Sequence, residues 1–512
     1  MKVQERGEGK VADAEPPDES QVVDTSPKYS VLTTWQKRGV VLGAAAGAFF
    51  SPLSGQIYFP ALNLLARDLR VSVDQINLTV TTYMIFQGIT PMFVGTFADA
   101  TGRRPAYLFC FVVYLAANIG CALAPDYAAL LVLRMLQSAG ASTTVSLCQA
   151  VVSDIITSAE RGQYVGWTSL PIVLAPALGP VLGGIFSEYL GWRWIFWFLT
   201  IIAGFVFIMF ALFMPETCRH IVGDGSIRPH PYYRTFWQLA KDAIRKRRAT
   251  SSARDNPLQP TISRVSTKQS FHMKRPNPFR SLVILFEKEM FLLLFYSSFI
   301  YAGFYAIATA MSFQFAEIYG FNDLMIGLMY LPLGGGLIVA AFTMGKLSNW
   351  NYRRHCKKLN VPFDRLRQQD LTSFPIERAR LQVSSPLLAL FALVLIGWGW
   401  ALEYEAPLAV PIVLLFLIGI SLTGFTNTVN ILIVDINPGH AASATAANNL
   451  TRCLVGAAAT AVIRPMISGI GSGWSFTIFS LIYVTFSPVL WLIMKNGIKW
   501  RKAKLDKNED RT

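Results

Sequence analysis

Two arginines lie deep in apolar stretches of this chain, and no carboxylate stands at a comparable depth beside them. Arg134 follows Ala128-Ala-Leu-Leu-Val-Leu133, about six residues into its apolar run, and Arg452 lies about nine residues into another. With a helical rise of about 1.5 Å per residue, the guanidinium groups sit roughly 9 Å and 14 Å from the run ends. A charge at such depth is costly and faces a cavity or a partner. The guanidinium is a planar fork of donors suited to carboxylate or phosphate. None of the 31 acidic residues falls near the middle of an apolar run; Asp99, Asp154, Asp435, Glu188 and Glu403 come nearest, at run ends. One reading makes the missing anion a cargo. The competing reading has Arg134 bonding carbonyls or polar neighbours in support of the fold. Arg464, near the end of the same run as Arg452, is expected to snorkel to the headgroup level.

Polar neighbours can complete a pocket around these cations. Asn448 and Asn449 precede Arg452 by four and three residues, on nearby helix faces. Asn427 with Asn430, Gln87 with Tyr83, and Tyr301 with Tyr305 each stand about one turn apart on other runs, and Gln137 follows Arg134. Hydrogen bonding between helices is the commoner use of such residues, and lining a path is the other. The aromatic stretch from Trp192 to Phe198 reads as packing or an interface belt. Neither a Gly-x-x-x-x-Gly-Lys-Ser/Thr loop nor His-Glu-x-x-His nor Gly-x-Ser-x-Gly occurs, and the five histidines fall outside the apolar runs. No catalytic residue, metal site or cofactor is therefore expected, and the chain does not read as an enzyme.

The elements that must position these residues follow from composition. Of 512 residues, 53% are hydrophobic and 15% charged, with a mean hydropathy of +0.39. A soluble domain carries about 25% charged residues, and a spanning helix needs about 20 apolar ones. The composition predicts an all-α polytopic membrane protein. Twelve spans are expected at 39–64, 75–98, 105–124, 128–151, 163–188, 193–214, 289–315, 324–346, 386–404, 408–433, 443–468 and 474–494. The chain divides into a polar tail (1–38), a six-helix half (39–214), a basic linker (215–288), a second six-helix half (289–494) and a basic tail (495–512).

The net charge of +15 would suggest nucleic acid in a soluble protein. Here the basic residues sort by side. With the N-terminus inside, 40 of the 46 Lys and Arg fall on the cytoplasmic side, as the positive-inside bias requires. Both termini are expected in the cytoplasm, no nucleic-acid partner is expected, and the lipid bilayer is the surrounding partner. The linker carries Arg245-Lys246-Arg247-Arg248 and then a Ser/Thr/Pro-rich stretch, with Thr250 to Ser252 open to phosphorylation. Cys110, Cys121, Cys148 and Cys453 lie in apolar runs, so no disulfide framework is suggested. No cleavable signal peptide is visible. The Asn77-Leu-Thr79 sequon abuts the second span and is not expected to be used.

Between the second and third spans stands Gly95-Thr-Phe-Ala-Asp99-Ala-Thr-Gly102-Arg103-Arg104. Glycine allows a tight turn, a carboxylate can face a helix N-terminus, and two arginines can lock neighbouring helices, together forming a latch that Asp154 can join. In the fifth span, small residues recur every four positions at Ala175, Gly179 and Gly183, with Pro180 beside them. That spacing permits close helix contact, serving tight packing or a conformational cycle.

These segments resemble signatures of the major facilitator superfamily. Gly95 to Arg104 resembles its signature between spans 2 and 3, with Ala100 where a basic residue is usual. Arg134 to Gly140 resembles its span-4 motif, with Ser138 in place of glycine. Gly179-Pro180 with Gly183-Gly184 resembles the span-5 motif associated with antiporters and exporters, and Trp192 to Phe196 and Pro215-Glu216-Thr217 fit its twelve-span drug:proton antiporter branch. Ser51 to Leu62, Phe374 to Arg380, Ala442 to Ala446 and Asn448 to Leu454 are similar to fungal members of that branch, which include citrate exporters and quinidine-resistance-type pumps.

The resemblance implies alternating access about a central cavity and export from a fungal cell through the plasma membrane, with the protein working as a monomer. Arg134 and Arg452 would hold carboxylates of a small organic anion such as citrate, while Gly95, Asp99, Gly102, Arg103 and Arg104 form the cytoplasmic latch. The alternative is a multidrug or secondary-metabolite antiporter with protons as a further partner. Such a pump should prefer a buried acid, which the spans lack, although an end carboxylate could serve.

Overall fold

The computed structural model describes residues 30–156, 158–227, 229–236, 280–359, 374–437 and 441–509. The basic run at 245–248, the Thr250 to Ser252 segment and most of the N-terminal tail lie outside these residues.

Helices begin and end where the local chemistry dictates. α1 (Thr34–Gln56) and α2 (Val73–Thr101) each start with a capping box, Thr33 with Gln36 and Ser72 with Gln75, in which side chain and backbone satisfy each other's free donors. α2 stops at Gly102, whose φ of 105° no side-chain-bearing residue adopts easily. α3 (Arg103–Leu123), α4 (Tyr127–Ile155, capped by Asp126), α5 (Ser158–Tyr189) and α6 (Arg193–Phe213) complete the first half. The second half holds α7 (Lys288–Tyr319), α8 (Tyr330–Lys358), α9 (Ile376–Glu403) and α10 (Ala409–Ile436). A helical stretch Ala441–Phe486 follows, divided at Gly471 (φ 80°) into α11 (441–470) and α12 (472–486). The freed N–H groups of Ser472 and Gly473 donate to the Glu403 carboxylate at 2.6 and 3.3 Å. A last helix, α13 (Pro488–Glu509), carries the chain out.

The twelve expected spans correspond to α1–α12. Among the described residues, eight helical stretches are long and apolar enough by themselves to cross a membrane, and one of these contains both α11 and α12. The other three helices are α2, α4 and α5. In α2 and α4 the reason is visible: Asn77, Thr79, Thr81, Arg134, Gln137, Ser138, Ser142, Thr143 and Thr144 are all buried inside the bundle rather than facing lipid. Helices that must be polar on their inner face cannot be uniformly apolar. α8 and α9 run past their apolar stretches by about a dozen residues at 347–358 and ten at 376–385, because charged helical ends continue beyond the apolar core.

Within the first half, α4 packs on α1, α2 and α3, and α5 on α1; within the second, α10 packs on α8 and α9, and α7 on the stretch holding α11 and α12. The halves meet along α2 with α11, and along α5 with α8 and the short helix Asp323–Leu328 before it. The connections between halves run from mid-helix to the end opposite the chain tails, here termed the far end. The Thr81 and Thr460 hydroxyls are 3.0 Å apart, Asn63 donates to the Ser312 carbonyl at 2.7 Å, and the Ser312 hydroxyl donates to the Phe59 carbonyl at 2.8 Å. Gly184 lies against the Asp323 carbonyl and Gly327 against that of Pro180, so backbone meets backbone where any Cβ would collide. Arg464 pairs with Asp74 across the same seam at 3.5 Å and lies over the Phe313 ring. The partner is a carboxylate of the opposite half, in the first turn of α2. The sequon residues Asn77 and Thr79 are buried.

Candidate functional site

Arg134 is 1% exposed and held on every side. α1 supplies Tyr58, just past its end, and α2 supplies Tyr83. Their rings lie 4.1 and 4.3 Å from the guanidinium carbon, on a geometry that favours cation–π attraction. The Arg134 Nη1 donates to Gln137 Oε1 at 2.6 Å and to the Ser54 carbonyl at 3.3 Å. Gln137 passes the chain on, donating to Asn118 at 2.7 Å. Nε and Nη2 have no acceptor among the described residues, and no carboxylate pairs with the group there.

Arg452 stands on α11 at the seam with α2. Its Nη2 donates to Asn449 Oδ1 at 2.6 Å, its guanidinium lies 4.8 Å from the Tyr301 ring of α7, and its Nε lacks an acceptor among the described residues. It is partly exposed, unlike Arg134. Asn449 also donates to the Gln87 carbonyl of α2 at 2.9 Å, while the Gln87 side chain reaches Ser51 at 3.4 Å. Tyr305 lies beside Gly456 of α11. Asn448 donates to Asn430 at 3.1 Å and accepts from Ser297 at 3.5 Å; Asn430 is exposed although it lies well inside α10, and Asn427, one turn earlier, is half-buried.

The sequence-derived residues thus gather into two groups on either side of α2. Arg134, Gln137 and Tyr83 form a buried cage in the first half. Arg452, Asn449, Gln87 and Tyr301, with Tyr305 near, form a cluster between the halves, and Asn448, Asn430 and Asn427 extend it towards the tails. Tyr83 and Gln87, one turn apart, place the two groups side by side. Sequence reasoning missed Tyr58, Ser54 and Asn118 in the cage. Tyr58 lies beyond the end of α1, where helical spacing from other residues gives no signal.

The latch residues gather at the end carrying the tails. Arg103 donates to Asp99 at 2.5 Å and to Asp154 at 3.0 Å. Arg104 turns elsewhere: its Nη2 donates to the Ala211 carbonyl at 2.8 Å. Glu216, just beyond α6, accepts from the backbone N–H groups of Arg103, Arg104, Thr217 and Cys218 at 2.8–3.1 Å, clamping the start of α3. A carboxylate there complements the helix dipole. Gly95 has open space around it. The second half repeats the scheme: Arg380 donates to Asp435 at 3.2 Å and Ser348 at 3.1 Å. Gly179 and Gly183 pack against Gln56 and Ile57, within the first half, whereas the Pro180 carbonyl and Gly184 face the second.

A two-half helical bundle with polar groups buried at its centre and an ion-pair cluster at one end is the form of a solute carrier. Residues 44–460 match the model of the Major Facilitator Superfamily, and the chain belongs to that family. It is a membrane transporter rather than an enzyme. It is 47% identical to MFS-type transporter phiD of Fungal sp. (strain ATCC 74256) over 481 residues, covering 94% of this chain and 71% of that protein. It is 41% identical to MFS-type transporter tstD of Talaromyces stipitatus over 488 residues (95% and 87%), and 35% identical to Citrate exporter 1 of Aspergillus niger over 483 residues (93% and 89%). Among solved structures, the human organic anion transporter MFSD10 shares the fold with a TM-score of 0.56 at 18% identity, over 89% of this chain and 99% of that one.

Proposed function

We propose that the protein exports small organic anions bearing more than one carboxylate, with Arg452 as the principal contact to the cargo. The observation that carries this reading is a half-buried arginine at the seam of the halves, whose buried Nε has no acceptor and which has no carboxylate paired to it among the described residues. A planar fork with spare donors fits a carboxylate bidentately. The 35% identity to a citrate exporter supports tricarboxylates as the first candidates. Arg134 contributes positive potential from behind its tyrosines, and Asn430, Asn448 and Asn427 offer polar contacts on the route from the tail end. With both tails in the cytoplasm, the connected far end faces outside. The described conformation then favours loading from the cytoplasm. The plasma membrane is the proposed location, the monomer is the working unit, and the bilayer is the only partner the reading requires.

The rival reading, a proton-coupled multidrug antiporter, calls for a carboxylate or imidazole beside the cargo, and neither arginine group contains one among the described residues. The test is profiling of organic acids in the medium of cells lacking or overproducing the protein. Overproduction should raise at least one di- or tricarboxylate outside the cell, and Arg452→Ala should abolish the rise while the variant remains at the membrane. Undiminished anion export by that variant would overturn the assignment of Arg452. A profile dominated by neutral or cationic compounds would favour the multidrug reading.

A further inference from the structure

Asn449 touches both the proposed cargo contact and the opposite half of the molecule. Its orientation is fixed by chemistry. The Arg452 guanidinium can only donate and the Gln87 carbonyl can only accept, so Oδ1 must face the first and Nδ2 the second. The Gln87 carbonyl is available for a specific reason. In the continuous helix Val73–Thr101 its normal partner would be the N–H four residues on, and that residue is Pro91, which has none. A carbonyl freed in this way inside a membrane must find its donor on a neighbour. Asn449 is that neighbour. The approach is close: a Cβ on Gly88 would lie 3.0 Å from Cys453 and 3.3 Å from the Leu450 carbonyl.

We propose that Asn449 is the coupling residue of the carrier, transmitting anion binding at Arg452 to the α2–α11 seam; this rests on the anion reading given above. A carboxylate arriving at Arg452 competes with Asn449 Oδ1 for the same guanidinium. A carboxylate brings a full opposite charge and two oxygens for a bidentate pair, where the amide offers a single neutral acceptor, so the cargo wins. Asn449 then loses the contact that fixes its amide plane, and its bond to the Gln87 carbonyl weakens. The seam loosens when cargo is present and reforms when it leaves. A ligand can drive such a change only by interacting differently with the two states. The shared amide supplies that difference, because its bonds to Arg452 and to the Gln87 carbonyl belong to the empty carrier. Asn449 is a positioning residue in this scheme and not a cargo ligand.

The test uses the full chain in proteoliposomes with citrate as probe, measuring equilibrium binding and the KM and maximal rate of transport. Asn449→Ala should bind citrate at least as tightly as the unmodified protein, because the competitor at Arg452 is gone, while the maximal rate falls about tenfold or more. Pro91→Ala should reproduce that fall in rate, because the restored N–H claims the Gln87 carbonyl from within α2. Asn449→Asp should lose citrate binding, its carboxylate occupying Arg452 as a permanent internal anion. A tenfold rise in Kd for Asn449→Ala with an unchanged maximal rate would make Asn449 a cargo ligand and overturn the proposal. Unaltered binding and rate in that variant would overturn it as well. Absence of citrate binding to the unmodified protein, with other di- and tricarboxylates also failing, would remove the anion reading itself and the inference with it.

Discussion

The two interior arginines solve the problem of a charge in the membrane differently. Arg134 is enclosed by two tyrosine rings, a glutamine and a carbonyl, and is nearly inaccessible; Arg452 shares one amide and one ring and stays partly open. Their substitutions should therefore separate. Arg134→Ala leaves Gln137 without its charged donor and the Tyr58 and Tyr83 rings without their filling. The loss of a buried bond to a charged group costs about 2 kcal/mol or more, so its apparent Tm should fall by several degrees in detergent. Arg452→Lys should leave the Tm unchanged and reduce carboxylate export about tenfold, because a point charge replaces a planar fork. Equal Tm losses in both variants would show that the two play the same structural part. The depth of both residues was legible in the sequence, since an arginine in an apolar run stands out. The link from Asn449 to Gln87 was not legible, because its acceptor is a main-chain atom in the other half, unmasked by a proline four residues away.

At the scale of elements, α2 and α5 of the first half meet α11 and α8 of the second, and the two contacts differ in kind. α2–α11 is joined by polar groups that can exchange partners. α5 is joined to the short helix before α8, Asp323–Leu328, by bare backbone at Gly184 and Gly327, and to α8 itself where Gly334 lies against Ala177. Gly327→Val should force the far ends apart and shift the population towards the form open on that side. A cysteine placed at Asn63 should then react faster with an impermeant thiol reagent applied to intact cells. An unchanged rate would mean that the seam absorbs the extra carbons by sliding. The twelve helices themselves were legible from apolar runs. Two features were less so. The inner-facing polarity of α2 and α4 weakens their hydropathy, and the charged ends of α8 and α9 continue as helix where apolarity stops. The role of Gly184 was hidden for another reason: Gly179, Gly183 and Gly184 look alike in sequence, yet the first two serve packing on α1 and the third serves the seam.

For the whole molecule, the absence of acids at the centre of the spans sets the expected energetics. A cytoplasm-negative potential drives an anion outwards by about 2.3 kcal/mol per charge per 100 mV, so a multiply charged cargo needs no coupled proton. Citrate efflux from proteoliposomes should accelerate as a potassium diffusion potential is made negative on the cargo-loaded side, and collapse of a pH gradient at fixed potential should leave it unchanged. Dependence on the pH gradient alone would point to one of the end carboxylates as a proton carrier. The glycine contacts at the far end carry one more consequence. With main chain pressed on main chain at Gly184 and Gly327 and no side chain between, a compound reaching the far end finds no gap between α5 and the short helix Asp323–Leu328 there. On the proposed orientation, impermeant blockers can bind only while the far end is open during the cycle, so a screen confined to them should find more on the valine-wedged form.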